Sequence, residues 1–352
     1  MALLQIDNCV IKGISACVPA NIVDNLSFST SISNADKEKI IEKTGIKERR
    51  FVNESQSSTD LAYCAAENLI NSLKIDRNSI DILLFVSQTP DYQIPTSSAI
   101  LQNRLRLPNS TAAFDINQGC SGYVYGLSTA FSYASQKGIN RVLLLVAETL
   151  SKTLSPNDRN TSLLFGDGAS ATLIEKSETE NPAWFSLNTD GAGENAIKIN
   201  SGGFRNPVNE SSFAFETDSE GNSTKKTNLR MDGIEVFNFT VREVPSDIKK
   251  LLGFAEKTID SVDWMVFHQS NKYMIDFFLK RLKFPSEKSP VSIQKFGNTS
   301  GVSIPLTIVS ELKNKIQPKN AKTVLCGYGS GLSWASCLLD LSNCYICELS
   351  EL

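Results

Sequence analysis

Short apolar runs alternate with longer amphipathic stretches along most of the chain, and this alternation limits the fold more than any single motif does. "SIDILLFVSQT" (79–89), "TAAFDI" (111–116), "NRVLLLVAET" (140–149) and "GASATLIEK" (168–176) read as buried strands. "TDLAYCAAENLINSLK" reads as a helix capped near Thr59 or Asp60, and "YVYGLSTAFSYASQKG" as a helix closed by Gly138. The second half repeats the order. "GIEVFNFTVREVPSDIKKLLG" is a helical region, "SVDWMVFHQS" a strand with a polar end, and "NKYMIDFFLKRLK" a helix. "AKTVLCGYGSGLSWASCLLDL" gives two strands around a glycine-rich turn. Such alternation predicts a layered α/β fold. The repeated order predicts two pseudo-duplicated halves, residues 1–176 and 177–352. A polar stretch from Glu194 to Asn228 predicts a long surface excursion.

Bulk properties remove several function classes. The 352 residues carry a net charge of -3, with 41% hydrophobic and 21% charged residues. A nucleic-acid binder is usually basic, so an anionic partner must meet a local basic patch instead. The longest apolar runs, such as "RVLLLVAETL", are too short to span a bilayer. The opening "MALLQIDNCVIKG" lacks a basic stretch followed by a long apolar core, which predicts a cytoplasmic protein. The same context predicts reduced thiols for the 8 cysteines. Cys344 and Cys347 form a lone C-x-x-C with no second ligand pair, so no metal site is expected there and a frayed tail is.

Four features carry chemistry. In "AFDINQGCSGYVYGLSTA", Cys120 sits between a strand-like run and a helix, flanked by Gly119 and Gly122. A thiol at a helix N-terminus is expected to ionise more readily, favoured by free N–H groups and the helix dipole. The chain has 1 histidine, so imidazole catalysis falls to His268, at the polar end of "WMVFHQSN". In α/β folds, sites gather at the C-terminal ends of strands. Asn298 lies in "KFGNTSGVSIP", a sequence that also suits a turn or a cap. "CGYGSGLSW" (326–334) could be a plain hairpin turn or a loop presenting amide N–H groups to an anion.

Taken in order, "KTGIKERRF", "AFDINQGCSGYVYGLS", "FGDGASATL", "HQSN", "FGNTSGVSIP" and "GYGSGLSWAS" closely resemble the ketoacyl-acyl carrier protein synthase III family of the thiolase superfamily, over essentially the whole chain. The resemblance implies a five-layered αβαβα thiolase-like fold and a homodimer. It implies Cys120, His268 and Asn298 as the catalytic triad, with an oxyanion hole at the amides of Cys120 and Ser330. Many relatives have glycine at the position of Ser330. The implied reaction loads an acyl primer onto the cysteine and condenses it with a decarboxylating malonyl thioester on acyl carrier protein. No cofactor is implied, because the thioesters are substrates. Fatty-acid initiation and polyketide priming both fit.

Departures from the family pattern bear on substrate. Relatives that use coenzyme A often carry a tryptophan before the T-G-I motif; Lys39 stands at that position, while the partner arginine is matched by Arg159. A carrier-protein-bound primer therefore gains over a coenzyme A thioester. Ile94 matches the residue that reaches across the dimer into the primer pocket, where many relatives have phenylalanine, and Asn271 matches a substrate-binding position. Lys272, Lys280, Arg281 and Lys283, with Lys249 and Lys250, form a candidate dock for the acidic carrier protein. Two other readings stand beside condensation. One is acyl transfer to an alcohol or amine on the same fold. The other is a catalytically silent scaffold.

Overall fold

The computed structural model describes residues 2–219, 221–316 and 321–352. Two mixed sheets form its centre. The first has the spatial order Tyr345–Ile346, Cys9–Val18, Gly168–Lys176, Arg141–Glu148, Ile82–Val86, Ala112–Ile116, with Ser350–Glu351 also pairing on Cys9–Val18. The second has the order Ala2–Ile6, Ala183–Thr189, Ser333–Asp340, Lys322–Gly329, Trp264–Phe267. The helix Gly122–Ala134 and the helical turns Ser303–Thr307 and Ile308–Leu312 pack between the sheets. Ser58–Leu73 and Ser97–Arg104 cover the outer face of the first sheet. Gly233–Phe254 and Lys272–Leu282 cover that of the second. The stack is the five-layered αβαβα arrangement.

The pairing directions show the internal duplication that the letters hide. Gly168–Lys176 runs antiparallel to both its neighbours, Cys9–Val18 and Arg141–Glu148, and Ile82–Val86 joins Arg141–Glu148 in parallel. Ala183–Thr189, Ser333–Asp340 and Lys322–Gly329 repeat that antiparallel series, and Trp264–Phe267 joins in parallel. The termini cross over. Ala2–Ile6 pairs in the second sheet, while Tyr345–Ile346 and Ser350–Glu351 pair in the first. A cut after residue 176 would strand elements on both sides.

Burial explains why the strands were legible. Every residue of Ile82–Val86 is buried, as both faces of a covered parallel sheet must be. Each fully buried aliphatic side chain there contributes roughly 1.5–3 kcal/mol. Helix ends differ from the sequence reading. Ser57, not Thr59 or Asp60, caps Ser58–Leu73; Asp60 stands three residues in, and its carboxylate accepts the Ser57 N–H at 2.8 Å. Gly122–Ala134 ends at Ser135, and left-handed Gly138 (φ 92°) turns the chain afterwards.

The C-terminal tail is docked rather than frayed. The Cys347 N–H donates to Ile14 O at 2.9 Å, the Leu352 N–H donates to Val18 O at 3.0 Å, and Cys347 is buried in the core under Ser58–Leu73. The reason is the open edge of Cys9–Val18, whose unpaired backbone groups the tail satisfies. Residues 194–219 and 221–228 form a surface excursion, held by short pairings: Ile197–Ile199 with Leu229–Met231 and Glu216–Thr217 with Ser223–Thr224. Among the described residues, no helix is long and apolar enough to cross a membrane.

Candidate active site

Cys120 lies in the turn between Ala112–Ile116 and Gly122–Ala134, under the strand Lys322–Gly329. The contact is so close that a Cβ on Gly329 would stand 2.7 Å from Cys120 Cβ and 2.8 Å from its sulfur. Only glycine fits. The following loop is pinned to the same turn: Ser333 Oγ donates to Ser330 O at 2.7 Å and lies 2.7 Å from Ser121 Oγ. The N–H groups of Ser330 and of Cys120 both face the sulfur. These are the two amides that sequence reasoning named as an oxyanion hole.

The ionisation expected for Cys120 is overturned. Burial pushes the thiol up to about 11; the Ser300 hydroxyl and the two amides pull it back, and the buried Glu148 pushes it further up. Desolvation outweighs the helix terminus because the sulfur is shut away from water. The resting group is a neutral thiol.

His268 follows the end of Trp264–Phe267 and is only 1% exposed. Its N–H continues the parallel ladder to Cys326 O at 2.8 Å. Its Nδ1 lies 2.7 Å from Ser303 Oγ, and the Tyr328 ring packs edge-on against the imidazole. Burial lowers the imidazole to about 3, so His268 is neutral throughout the physiological range.

Asn298 sits in a loop fixed at both sides, its N–H donating to Leu164 O at 2.9 Å and its carbonyl accepting from the Gly166 N–H at 3.0 Å. Gly297 adopts φ 64°, ψ -155°, a region open essentially to glycine alone, and a Cβ there would meet Leu164 O at 2.6 Å. The Asn298 Oδ1 accepts the Ser300 N–H at 2.9 Å, which leaves the amide NH2 to be presented.

Ser300 joins the three. Its hydroxyl lies 3.6 Å from the Cys120 sulfur, its N–H orients Asn298, and its carbonyl accepts from Ser303 Oγ at 2.8 Å, the hydroxyl that touches His268. Sequence reasoning missed both serines, although they stand in the quoted "FGNTSGVSIP". Ser300 also has φ 51°, the left-handed conformation, unusual for a residue other than glycine. The motifs "KTGIKERRF" and "FGDGASATL" turn out to be the scaffold of this loop. Buried Arg49 donates to Ser162 O at 2.6 Å, and Asp167 accepts the Val52 N–H at 2.9 Å.

The remaining candidates lie further out. The Arg159 guanidinium is 3.3 Å from Asp36, and Lys39 reaches the same carboxylate at 3.7 Å. Asn271 caps Lys272–Leu282, its Oδ1 accepting the Met274 N–H at 2.8 Å, which commits the carbonyl and leaves only the NH2 for a ligand. Lys272 is tied to Asp276, whereas Lys280 and Arg281 are exposed in the last turn of that helix. Ile94 is 83% exposed. Among the described residues, no group of His, Cys, Asp or Glu is placed to hold a metal ion.

Comparison with known proteins agrees with this geometry. Residues 114–193 match the family 3-Oxoacyl-[acyl-carrier-protein (ACP)] synthase III, and residues 252–341 match its C-terminal domain. The chain is 33% identical over 326 residues to the beta-ketoacyl-[acyl-carrier-protein] synthase III of Clostridioides difficile, covering 93% of this chain and 96% of that protein. It is 35% identical over 323 residues to that of Porphyra purpurea, covering 92% and 96%. The crystal structure of a 3-oxoacyl-(acyl-carrier protein) synthase from Burkholderia xenovorans superposes with a TM-score of 0.93 at 37% identity, covering 100% of this chain and 99% of that one. A priming beta-ketosynthase of the R1128 polyketide pathway, at 24% identity and a TM-score of 0.82, shares the fold. With its thiol, imidazole and amide joined through one serine, the chain belongs to the 3-oxoacyl-[acyl-carrier-protein] synthase III family and is an acyl-transferring condensing enzyme.

Proposed function

We propose that Cys120 takes an acyl group from a thioester and that His268 and Asn298 then support decarboxylation of malonyl-acyl carrier protein. The observation that carries this is the Ser300 junction, which touches the thiol and orients Asn298 directly and reaches His268 through Ser303. The Cys120 sulfur attacks the primer carbonyl, its proton passes to the neutral imidazole, and the donor thiol leaves with that proton. The oxyanion is held by the N–H groups of Cys120 and Ser330. Malonyl thioester then loses CO2, and its thioester oxygen takes hydrogen bonds from His268 and the Asn298 NH2. The carbanion attacks the acyl-cysteine carbonyl, the thiolate departs, and a 3-oxoacyl thioester results.

The Ser303 hydroxyl has one proton and two acceptors, Ser300 O and His268 Nδ1. Bonded to Ser300, it leaves the imidazole proton on Nδ1 and Nε2 free to accept. Turned to Nδ1, it leaves Nε2–H as a donor. Between the half-reactions the imidazole proton has to pass from Nδ1 to Nε2, and the Ser303 hydroxyl stabilises whichever tautomer is present.

The primer arrives on a carrier protein. Asp36 spans Arg159 and Lys39 where a stacking ring would be needed for adenine. Lys280 and Arg281 offer the cationic approach. Ile94, Tyr92 and Phe204 form an exposed apolar patch on two loops joined where Gln93 donates to Gly202 O at 2.9 Å. A second copy of the chain covers this patch, with Ile94 entering the partner's primer pocket.

Intact-mass spectrometry tests the reading. The protein is exposed to acyl groups of graded length on coenzyme A and on acyl carrier protein. An adduct formed faster from carrier protein, absent in Cys120→Ser and slowed several-fold by Lys280→Glu/Arg281→Glu is expected. No adduct from any donor would reject it.

A further inference from the structure

The mechanism uses the Ser330 N–H but gives no task to its side chain, nor to the buried carboxyl of Glu148. Both lead to Gln88. The Ser330 hydroxyl donates to Gln88 Oε1 at 3.0 Å. The contact lies directly over Gly119, the residue before the nucleophile: a Cβ on Gly119 would be 2.3 Å from Gln88 Oε1 and 2.5 Å from Ser330 Oγ. Gly119 is thus the floor on which this contact rests. Gln88 is itself anchored. Its N–H donates to Glu148 Oε1 at 3.0 Å, and the neighbouring Thr89 Oγ1 donates to Glu148 Oε2 at 2.7 Å. Thr89 Oγ1 also accepts the Thr149 N–H at 2.9 Å, which closes the anchor onto the strand Arg141–Glu148.

We infer that Gln88 is a positioning residue for the oxyanion hole: held from below by Glu148, it fixes the Ser330 peptide through the Ser330 hydroxyl, and so aims the Ser330 N–H at the Cys120 sulfur. This rests on the assignment of that N–H as an oxyanion donor. The need for such a tether follows from the loop. Ser330 is followed by Gly331, exposed and at φ 134°, so the backbone there has little stiffness of its own. Ser333 holds the Ser330 carbonyl on one side, through Ser121. Gln88 holds the hydroxyl on the other. A residue held through both its carbonyl and its side chain keeps the direction of the N–H on its Cα; held through one, it can turn.

The test combines Gln88→Ala, Ser330→Gly and the double variant, with two readouts. The first is alkylation of Cys120 at pH 8 by iodoacetamide and by the smaller methyl methanethiosulfonate, followed by intact mass. It depends on the Ser330 N–H supporting the thiolate, not on any acyl substrate. Both reagents should react about three- to tenfold more slowly in each single variant, and no more slowly in the double, because both changes cut one contact. The second readout is acyl transfer, where kcat should fall about tenfold with KM for the donor within twofold. Gln88→Asn, whose shorter amide does not reach, should behave as Gln88→Ala. Unchanged alkylation, losses that multiply in the double variant, or a loss seen with one reagent alone would overturn the inference. Slowed alkylation with no acyl transfer even in the wild type would uphold the tether and reject the proposed reaction instead.

Discussion

The two strand-to-helix junctions that build the site, residues 116–122 and 267–272, occupy similar places in their halves and solve different problems. At the first, the chain turns under Gly329 so tightly that Cys120 is enclosed by backbone, and two amides face its sulfur. At the second, His268 is enclosed by side chains, Ser303 and Tyr328, and the helix start is capped by Asn271. Both groups are pushed toward their neutral forms, the thiol up to about 11 and the imidazole to about 3. Yet only the thiol has N–H donors waiting for a charge. In the proposed reaction, the first junction meets a negative charge that appears on the way and the second holds a base that stays uncharged between steps.

The largest effect should come from exchanging these roles for nothing. Cys120→Ser should abolish the acyl adduct. His268→Ala should keep a slow adduct while condensation falls on the order of 10³-fold, measured by CO2 release. Equal losses in both would erase the distinction between the junctions.

Gly329→Ala tests whether backbone enclosure matters. The new Cβ must displace Cys120, so acylation should fall about a hundredfold and the fold should lose about 1–3 kcal/mol by thermal unfolding. At Gly191, where a Cβ would meet nothing within 4 Å, alanine should do neither.

The pH dependence sharpens the contrast. With the thiol near 11, alkylation of Cys120 should rise about tenfold per pH unit from 7 to 10. With the imidazole near 3, His268 should contribute no loss of activity down to pH 5. A plateau in alkylation above pH 8 would contradict the burial argument.

The smallest effect concerns Glu148, whose carboxyl burial raises to about 7. Between about 4.5 and 7 the folded state keeps a proton that the unfolded state has released. Stability therefore falls as pH rises through that window. Glu148→Gln keeps the acceptor for the Gln88 N–H. It should raise Tm over the wild type at pH 8 and lose that advantage by pH 4.5. It should also speed Cys120 alkylation, since the charge that opposes the thiolate is gone.

The sequence by itself determined the strands and the main helices, and its motifs singled out Cys120, His268 and Asn298 as candidates. Buried parallel strands must be continuously apolar, as "ILLFV" is, and the glycine that passes over the Cys120 sulfur cannot be anything else. What only the tertiary structure decided depends on residues distant in the chain. Ser300 and Ser303 are ordinary turn residues until the fold sets one beside Cys120 and the other beside His268. The docked tail required the open edge of Cys9–Val18, more than 300 residues away. The thiol's ionisation could not be read from its helix either. The helix terminus is local and visible in the sequence, whereas desolvation is the sum of everything packed around the sulfur, and here it is the larger effect.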